Sequence, residues 1–178
     1  MREHGLEDEV KNQEPRPVKN QEPRTQNRSY TYRNLVLWQK AQEFALAVIR
    51  AVSTLPDDTA APIIARQVIR SASSISANIA EGHGRFSIPA HKNHLSIAKA
   101  SACESDSWID LLLRAGFING ETEASLHVAC EEIVRMLTAK IIRLERMAAE
   151  DAKGGRMREE SPPYLAEDYV PAEPGSRF

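Results

Sequence analysis

Residues Arg66 to Arg85 read RQVIRSASSISANIAEGHGR, and this stretch is the most informative part of the sequence. Apolar side chains recur in and just before it at spacings of three and four, which places them on one stripe of a helix. These residues are Ala65, Val68, Ala72, Ile75 and Ile79. The opposite arc is charged or small and polar: Arg66, Arg70, Ser73, Ser74, Ala77, Asn78 and Glu81. Serine and asparagine are mediocre helix formers, so their presence predicts close packing on this second face.

We expect another subunit to pack on that arc. The predicted oligomer interface comprises Arg70, Ser73, Ser74, Ala77, Asn78 and Glu81. An asparagine in such a helix can hydrogen-bond a neighbouring helix and fix its register, while Glu81 is expected to pair with an arginine such as Arg70. A ligand site is the alternative explanation. An arginine introduced at Ser74 or Ala77 is predicted to dissociate the oligomer without loss of helicity.

Four segments of the chain show helical periodicity. They span about residues 32–54, 61–82, 88–115 and 122–147, with Gly82 predicted to cap the second helix and Ser87 to begin the third. The third has a seam of spacings 3, 4, 3, 4 and 3, formed by Leu95, Ala98, Ala102, Ser105, Ile109 and Leu112. No segment alternates as a strand does. The sequence therefore predicts an all-α, antiparallel, up-down-up-down four-helix bundle.

The predicted domain organisation is one bundle between two tails. Residues 1–29 hold the polar unit VKNQEPR twice and too little apolar surface to fold, so they are expected to be disordered. Residues 30–148 form the bundle. Residues 149–178 form an acidic tail that is also expected to be disordered.

The composition indicates a soluble globular protein, with 42% apolar and 27% charged residues. No apolar run approaches the roughly 20 residues that span a bilayer, and the first ten residues do not resemble a secretory signal. A cytoplasmic location without membrane contact is expected. Cys103 and Cys130 are predicted to be small buried hydrophobes, and a disulfide between the third and fourth helices is the alternative.

Catalytic and metal-binding patterns are missing from the sequence. Di-metal bundles carry paired Glu-x-x-His motifs, whereas Glu123 and His127 have no second pair opposite them. The histidines His83, His91 and His94 are expected at the surface or at helix ends. Carboxylates such as Asp106 and Asp110 are expected on a solvated helix face. We therefore predict no enzyme activity, no cofactor and no metal.

Three motifs carry a resemblance to a known family. They are the start with Tyr32, Leu35 and Trp38-Gln39-Lys40-Ala41, then Gln67, Arg70 and residues 74–82 (SISANIAEG), then residues 97–101 (IAKAS) with Glu104. Over about residues 30–147 the chain resembles the four-helix-bundle family encoded in intervening sequences of bacterial large-subunit ribosomal RNA genes. That family usually has Gly-Ser in place of Ala100-Ser101. It includes accessory proteins of diversity-generating retroelements.

The resemblance implies an all-helical protomer in a ring-shaped homopentamer without catalytic residues. In the retroelement branch it also implies partnership with a reverse transcriptase and nucleic acid. The net charge of −2 argues against bulk electrostatic wrapping of nucleic acid, but charge is unevenly placed along the chain. A basic belt repeated around a ring would hold phosphates, and its predicted members are Arg66, Arg85, Lys92 and Lys99.

The expected function is therefore a non-enzymatic, homo-oligomeric scaffold that contacts RNA or DNA, with an accessory role beside a retroelement reverse transcriptase as one form of it. The alternatives are a protein-interaction scaffold that never meets nucleic acid and, last, a metal-dependent enzyme. Aromatic residues make up 6% of the chain and fall mostly in the predicted core or tail, so base stacking is not expected. Binding should instead be directed at the backbone.

Overall fold

The computed structural model describes residues 31–56 and 59–154. These ranges contain a short 3-10 helix, Tyr32–Asn34, and four α-helices: α1 (Val36–Val52), α2 (Ala61–His83), α3 (Ile88–Arg114) and α4 (Gly120–Gly154). They contain no strand, which confirms the all-α prediction. Within them, no helix is long and apolar enough to cross a membrane.

The helices pack in cyclic order, each against its neighbours in sequence, with α4 closing onto α1. One side-chain contact at each pair documents this order: Gln42 with Ser76 (α1–α2, 2.8 Å), Ser71 with Ser105 (α2–α3, 2.9 Å), Cys130 with the Ala102 carbonyl (α3–α4, 3.3 Å) and Lys40 with Glu132 (α4–α1, 2.9 Å). Successive helices run in opposite directions. The predicted up-down-up-down bundle is confirmed.

The core is built from the apolar stripes of the four helices. Every residue of the predicted α3 seam is buried, because its heptad-like spacing keeps one face toward the bundle axis. On α1 the spacings of three and four predict a buried stripe of Leu35, Trp38, Ala41, Ala45, Val48, Val52 and Leu55. The structure buries five of these residues, whereas Trp38 and Leu55 are half-buried. It also buries Leu37 and Phe44, which this stripe did not include.

The helix ends agree with the prediction at Ser87 and disagree at Gly82. The Ser87 hydroxyl accepts the Ala90 amide (3.4 Å) and caps α3. Gly82 does not cap α2, which continues to His83 and is capped at Gly84. A Cβ on Gly82 would lie 3.0 Å from the Cβ of His94, so this glycine permits close approach of α3.

The fourth helix begins at Gly120 and ends at Gly154, beyond the predicted bundle boundary at residue 148. The predicted N-terminal tail, residues 1–29, and residues 155–178 of the predicted acidic tail lie outside the described residues. With 35 residues, α4 is longer than α1, α2 and α3.

Candidate nucleic-acid and subunit interfaces

A row of small polar residues joins α2 to α3 inside one protomer. The hydroxyls of Ser71 and Ser105 lie 2.9 Å apart, and those of Ser74 and Ser101 lie 3.0 Å apart. Further along α2, Asn78 accepts a hydrogen bond from His94 of α3 (3.4 Å), and Gly82 then packs against α3. We call this contact the α2–α3 seam, with Ser71, Ser74, Asn78 and Gly82 as its α2 residues.

The α2–α3 seam includes Ser74 and Asn78, two residues of the polar arc on which the sequence predicted contact with another subunit. Asn78 does bond a neighbouring helix, as predicted, but that helix is α3 of the same chain. The expected pairing of Arg70 with Glu81 is wrong within the protomer. Arg70 instead contacts Glu104 of α3 (2.5 Å) and Glu81 contacts Arg85. Eleven residues separate Arg70 from Glu81, which is about 16 Å along a helix, whereas α3 offers Glu104 directly opposite.

The remaining arc residues Ser73 and Ala77 lie beside open space. They border a groove of about 340 Å³ between α1 and α2. The residues lining this α1–α2 groove are Tyr32, Trp38, Gln42, Ala45, Leu46, Ile49, Ser73, Ser76, Ala77 and Ala80. Leu46 and Ile49 are exposed by 48% and 43%, so the groove presents large apolar side chains to solvent. Of the predicted interface residues, Ser74 and Asn78 thus contact α3 of the same protomer, whereas Ser73 and Ala77 border the open groove.

Charge is distributed unequally between the two ends of the bundle. One end comprises the starts of α1 and α3 and the ends of α2 and α4 (residues 31–40, 79–96 and 138–152), and we call it the basic end. It carries seven Lys or Arg against four Asp or Glu. The seven are Arg33, Lys40, Arg85, Lys92, Lys140, Arg143 and Arg146. The opposite end (residues 45–56, 59–72 and 104–129) carries four basic and five acidic residues.

The structure does not bring the four predicted nucleic-acid residues together in one protomer. Arg85 and Lys92 belong to the basic end, and Lys99 lies one turn beyond it. Arg66 lies in the second turn of α2, at the opposite end. Sequence reasoning missed the three α4 cations, Lys140, Arg143 and Arg146, whose spacing of three would have placed them on neighbouring turns.

Two of the predicted residues already hold acidic partners. Arg85 contacts Glu81, and its Nε donates to Nε2 of His94 (3.1 Å). Lys92 contacts Glu145 of α4 (3.2 Å). Arg66 and Lys99 form no ion pair with any residue in the described ranges. Surface pairs of this kind are weak, so phosphates can compete for these cations.

The histidine at position 91 is buried, with 2% of its surface exposed, so the expected surface position is wrong for it, whereas its place in the first turn of α3 agrees with the expected helix-end position. Burial and, in the same direction, the nearby charge of Lys140 together lower the pKa of His91 to about 4. His91 is therefore neutral at pH 7. Among the described residues, no group of three or more His, Cys, Asp or Glu side chains is placed to hold a metal ion.

The two cysteines differ in their surroundings. Cys130 is buried as predicted, and burial raises the pKa of its thiol to about 12. Cys103 is exposed, which contradicts the prediction, because it points away from the α3 seam. Both thiols are free, so the alternative of a disulfide is not formed. They line a cavity of about 330 Å³ between α3 and α4.

The carboxylates expected on a solvated face of α3 are both paired. His127 of α4 donates to Asp106 (2.8 Å), and this hydrogen bond, with the charge of Asp106, raises the pKa of His127. Asp110 pairs with Arg114 one turn later on α3 (2.8 Å). Both contacts are ion pairs on partly exposed helix surfaces.

The fold and these surfaces define the class of the molecule: a small all-α protein built from one antiparallel four-helix bundle. The sequence profile of the 23S rRNA-intervening sequence protein family matches residues 33–139, and the chain therefore belongs to this family. The predicted family resemblance is thereby confirmed.

A protein of unknown function from the S23 ribosomal protein family of Bacteroides thetaiotaomicron has a solved structure that is similar over the bundle. It is 29% identical in sequence, with a TM-score of 0.55, and the match covers 60% of this chain and 98% of that one. No curated protein matches the chain. The shared part of the two molecules is the helical bundle.

Proposed function

We propose that the protein is a non-enzymatic, homo-oligomeric helical scaffold whose basic end binds the backbone of RNA or DNA. The observation that carries this proposal is the charge distribution: seven basic against four acidic residues at one end, in a chain of net charge −2. Lysine and arginine side chains bind phosphates and release condensed counterions, which favours association at low salt. Membership of a family associated with 23S rRNA intervening sequences agrees with a nucleic-acid partner.

Self-association brings several copies of the basic end into one particle. The α1–α2 groove exposes Leu46 and Ile49 beside Ala77, and burying them against a second copy removes apolar surface from water. The family resemblance implies five copies in a ring. Repeating the basic end around such a ring lets several patches engage one nucleic acid, so that avidity exceeds the affinity of one protomer.

A charge-neutralising experiment tests the nucleic-acid part of the proposal. Lys92→Gln with Arg146→Gln removes two cations from the basic end, whereas Arg50→Gln with Arg66→Gln removes two from the opposite end and serves as the matched control. Fluorescence anisotropy of a labelled oligonucleotide is measured across a salt series. The first pair should weaken binding and lower the salt slope by roughly one unit for each phosphate-binding cation removed in each engaged protomer. Equal effects of both pairs would contradict the assignment to the basic end.

The C-terminal residues provide a second test. Residues 159–173 hold five acidic residues and no basic one, so they are expected to compete with nucleic acid for the basic end. Deleting residues 155–178 should tighten binding at low salt. If the truncated, intact oligomer does not bind RNA or DNA at low salt, the nucleic-acid proposal fails.

The second candidate function is a scaffold that binds only proteins, and the open α1–α2 groove favours it. As the accessory subunit of a retroelement, the scaffold would hold a reverse transcriptase as well as nucleic acid. Co-purification of this chain with a reverse transcriptase encoded beside its gene tests that role. Ala77→Arg, which fills the groove with a charge, should reduce capture if the enzyme binds there.

A further inference from the structure

Phe86 is the most exposed large apolar residue among those that the structure describes. It lies between α2 and α3, at the basic end, and its ring is fully exposed to solvent. The sequence led us to expect aromatic side chains in the core or the tail, and Phe86 departs from that expectation. Single exposed apolar residues are common on protein surfaces, so exposure alone does not indicate a partner, and the groups around the ring have to be considered.

The backbone that carries Phe86 is held on both sides. Before it, the amide of Gly84 donates to the carbonyls of Ala80 and Glu81, and the amide of Arg85 donates to Gly82 (3.1 Å). After it, Ser87 caps α3. The ring is therefore presented from an ordered connection, so little conformational entropy is lost when a partner stacks on it.

The surroundings of the ring indicate the class of partner. Its chain neighbours are the cation Arg85 and the hydroxyl Ser87, and the nearby start of α3 carries Lys92. The exposed apolar residues Leu46 and Ile49 lie further along the bundle, on α1. The core of a subunit contact is apolar and aromatic, whereas an aromatic ring beside cations is typical of sites that bind single-stranded nucleic acid.

We propose that Phe86 stacks on an unpaired base of a single-stranded RNA or DNA segment whose phosphates lie on the basic end. This inference rests on the proposed function and adds the form of nucleic acid that is bound. In a duplex the bases already stack on each other, so the ring finds no free face there. Every base has a π-face, so the contact favours single strands without selecting a sequence.

The test compares Phe86→Ala and Phe86→Trp in the full-length chain, with Val128→Ala as the matched control. Val128 is another exposed apolar residue (62%), and it lies at the opposite end. The probes are labelled oligo-U, oligo-dT and a duplex of equal length, measured by anisotropy across a salt series. Phe86→Ala should weaken single-strand binding by about 5- to 150-fold per engaged base, with an unchanged salt slope because every phosphate-binding cation remains in place.

Duplex binding of Phe86→Ala should equal that of the wild type, and Val128→Ala should match the wild type on every probe. Phe86→Trp should keep single-strand affinity, and its added indole fluorescence should be quenched by oligo-U. If Phe86→Ala binds single strands as the wild type does, or loses duplex affinity equally, the inference is overturned while the proposed function stands. A lower molar mass for Phe86→Ala would make Phe86 a subunit contact instead. Absence of binding to all three probes, by the wild type and by the chain without residues 155–178, would overturn both proposals.

Discussion

Two faces of α2 carry the same kind of small side chain and meet different surroundings. On one face, Ser71, Ser74 and Asn78 bond to α3 of the same chain. On the other, Ser73 and Ala77 border the open α1–α2 groove. The first face brings two helices close together and satisfies its own polar groups. The second leaves a depression beside exposed Leu46.

The difference shows that a stripe of small residues has two separate causes. Small residues on a helix let another helix of the same protomer approach closely, and on an open face they equally leave room for another chain. Adjacent residues of a helix are separated by about 100° of rotation, so Ser73 and Ser74 fall on different faces. Substitutions on the two faces should therefore have different effects.

The largest difference is expected between arginines at these adjacent serines. Ser74→Arg places a long charged side chain against Ser101 of α3, and we expect the free energy of unfolding to fall by about 3 kcal/mol. Ser73→Arg points into solvent and should leave the protomer stability nearly unchanged. Chemical denaturation followed by circular dichroism measures both. Equal destabilisation would show that the two faces are not distinct. This expectation replaces the sequence-based one that Ser74→Arg leaves helicity intact.

Because His91 is buried, we predict that the stability of the fold depends on pH. The pKa of His91 falls from 6.5 unfolded to about 4 folded, so the unfolded chain binds the proton more readily. Its contribution to stability is therefore complete above pH 6.5 and is lost progressively as the pH falls toward 4, by about 3 kcal/mol. Denaturation midpoints of wild type and His91→Gln across this range test it. The variant should show the shallower loss on acidification, and parallel curves would contradict the prediction.

A smaller effect is expected from the two glycines at the end of α2. Gly82→Ala puts a Cβ 3.0 Å from that of His94, so overpacking exceeds the gain in helix propensity and stability should fall by about 1 kcal/mol. Gly84→Ala meets its nearest atom at 3.5 Å, which is ordinary contact, and should be neutral or slightly stabilising. Thermal melts distinguish the two. An unchanged melting temperature for Gly82→Ala would mean that α2 and α3 can shift enough to accept the added Cβ.

The smallest effect concerns the exposed pair of His127 and Asp106. A raised histidine pKa stabilises the fold fully below pH 6.5, and this stability is lost as the pH rises through the folded pKa. Asp106→Asn should therefore be less stable than wild type at pH 6, by under about 1 kcal/mol, and the difference should shrink as the pH rises through the folded pKa of His127. High salt should shrink the difference at pH 6. A stability difference between the two proteins that grows as the pH rises would contradict the predicted direction.

The sequence was sufficient for the helices and for most of the core. Spacings of three and four fix one buried stripe, and the α3 seam from Leu95 to Leu112 is buried at every predicted position. The sequence could not tell which neighbour receives a second face, because that depends on how each helix is rotated about its axis. The roles of Ser74, Gly82 and Asn78 therefore became clear only from the position of α3.

The candidate site was less predictable than the fold. Arg66 and Lys92 are both basic residues near the middle of the sequence, but antiparallel packing puts them at opposite ends of the bundle. Lys140 and Arg146, which are remote in sequence, join Lys92 at the basic end for the same reason. The exposure of Phe86 depends on how one short connection turns. Such groupings follow from topology, which local patterns do not contain.

Copies of the protein should meet at the open face of α2, and the molar mass in solution measures this association. Light scattering should give wild type a molar mass that is a multiple of 19.9 kDa, with five copies implied by the family resemblance. Ala77→Arg should run at 19.9 kDa with a wild-type circular dichroism spectrum, because a buried unpaired charge prevents association. A monomeric wild type, or an Ala77→Arg variant that keeps the wild-type mass, would contradict the claim.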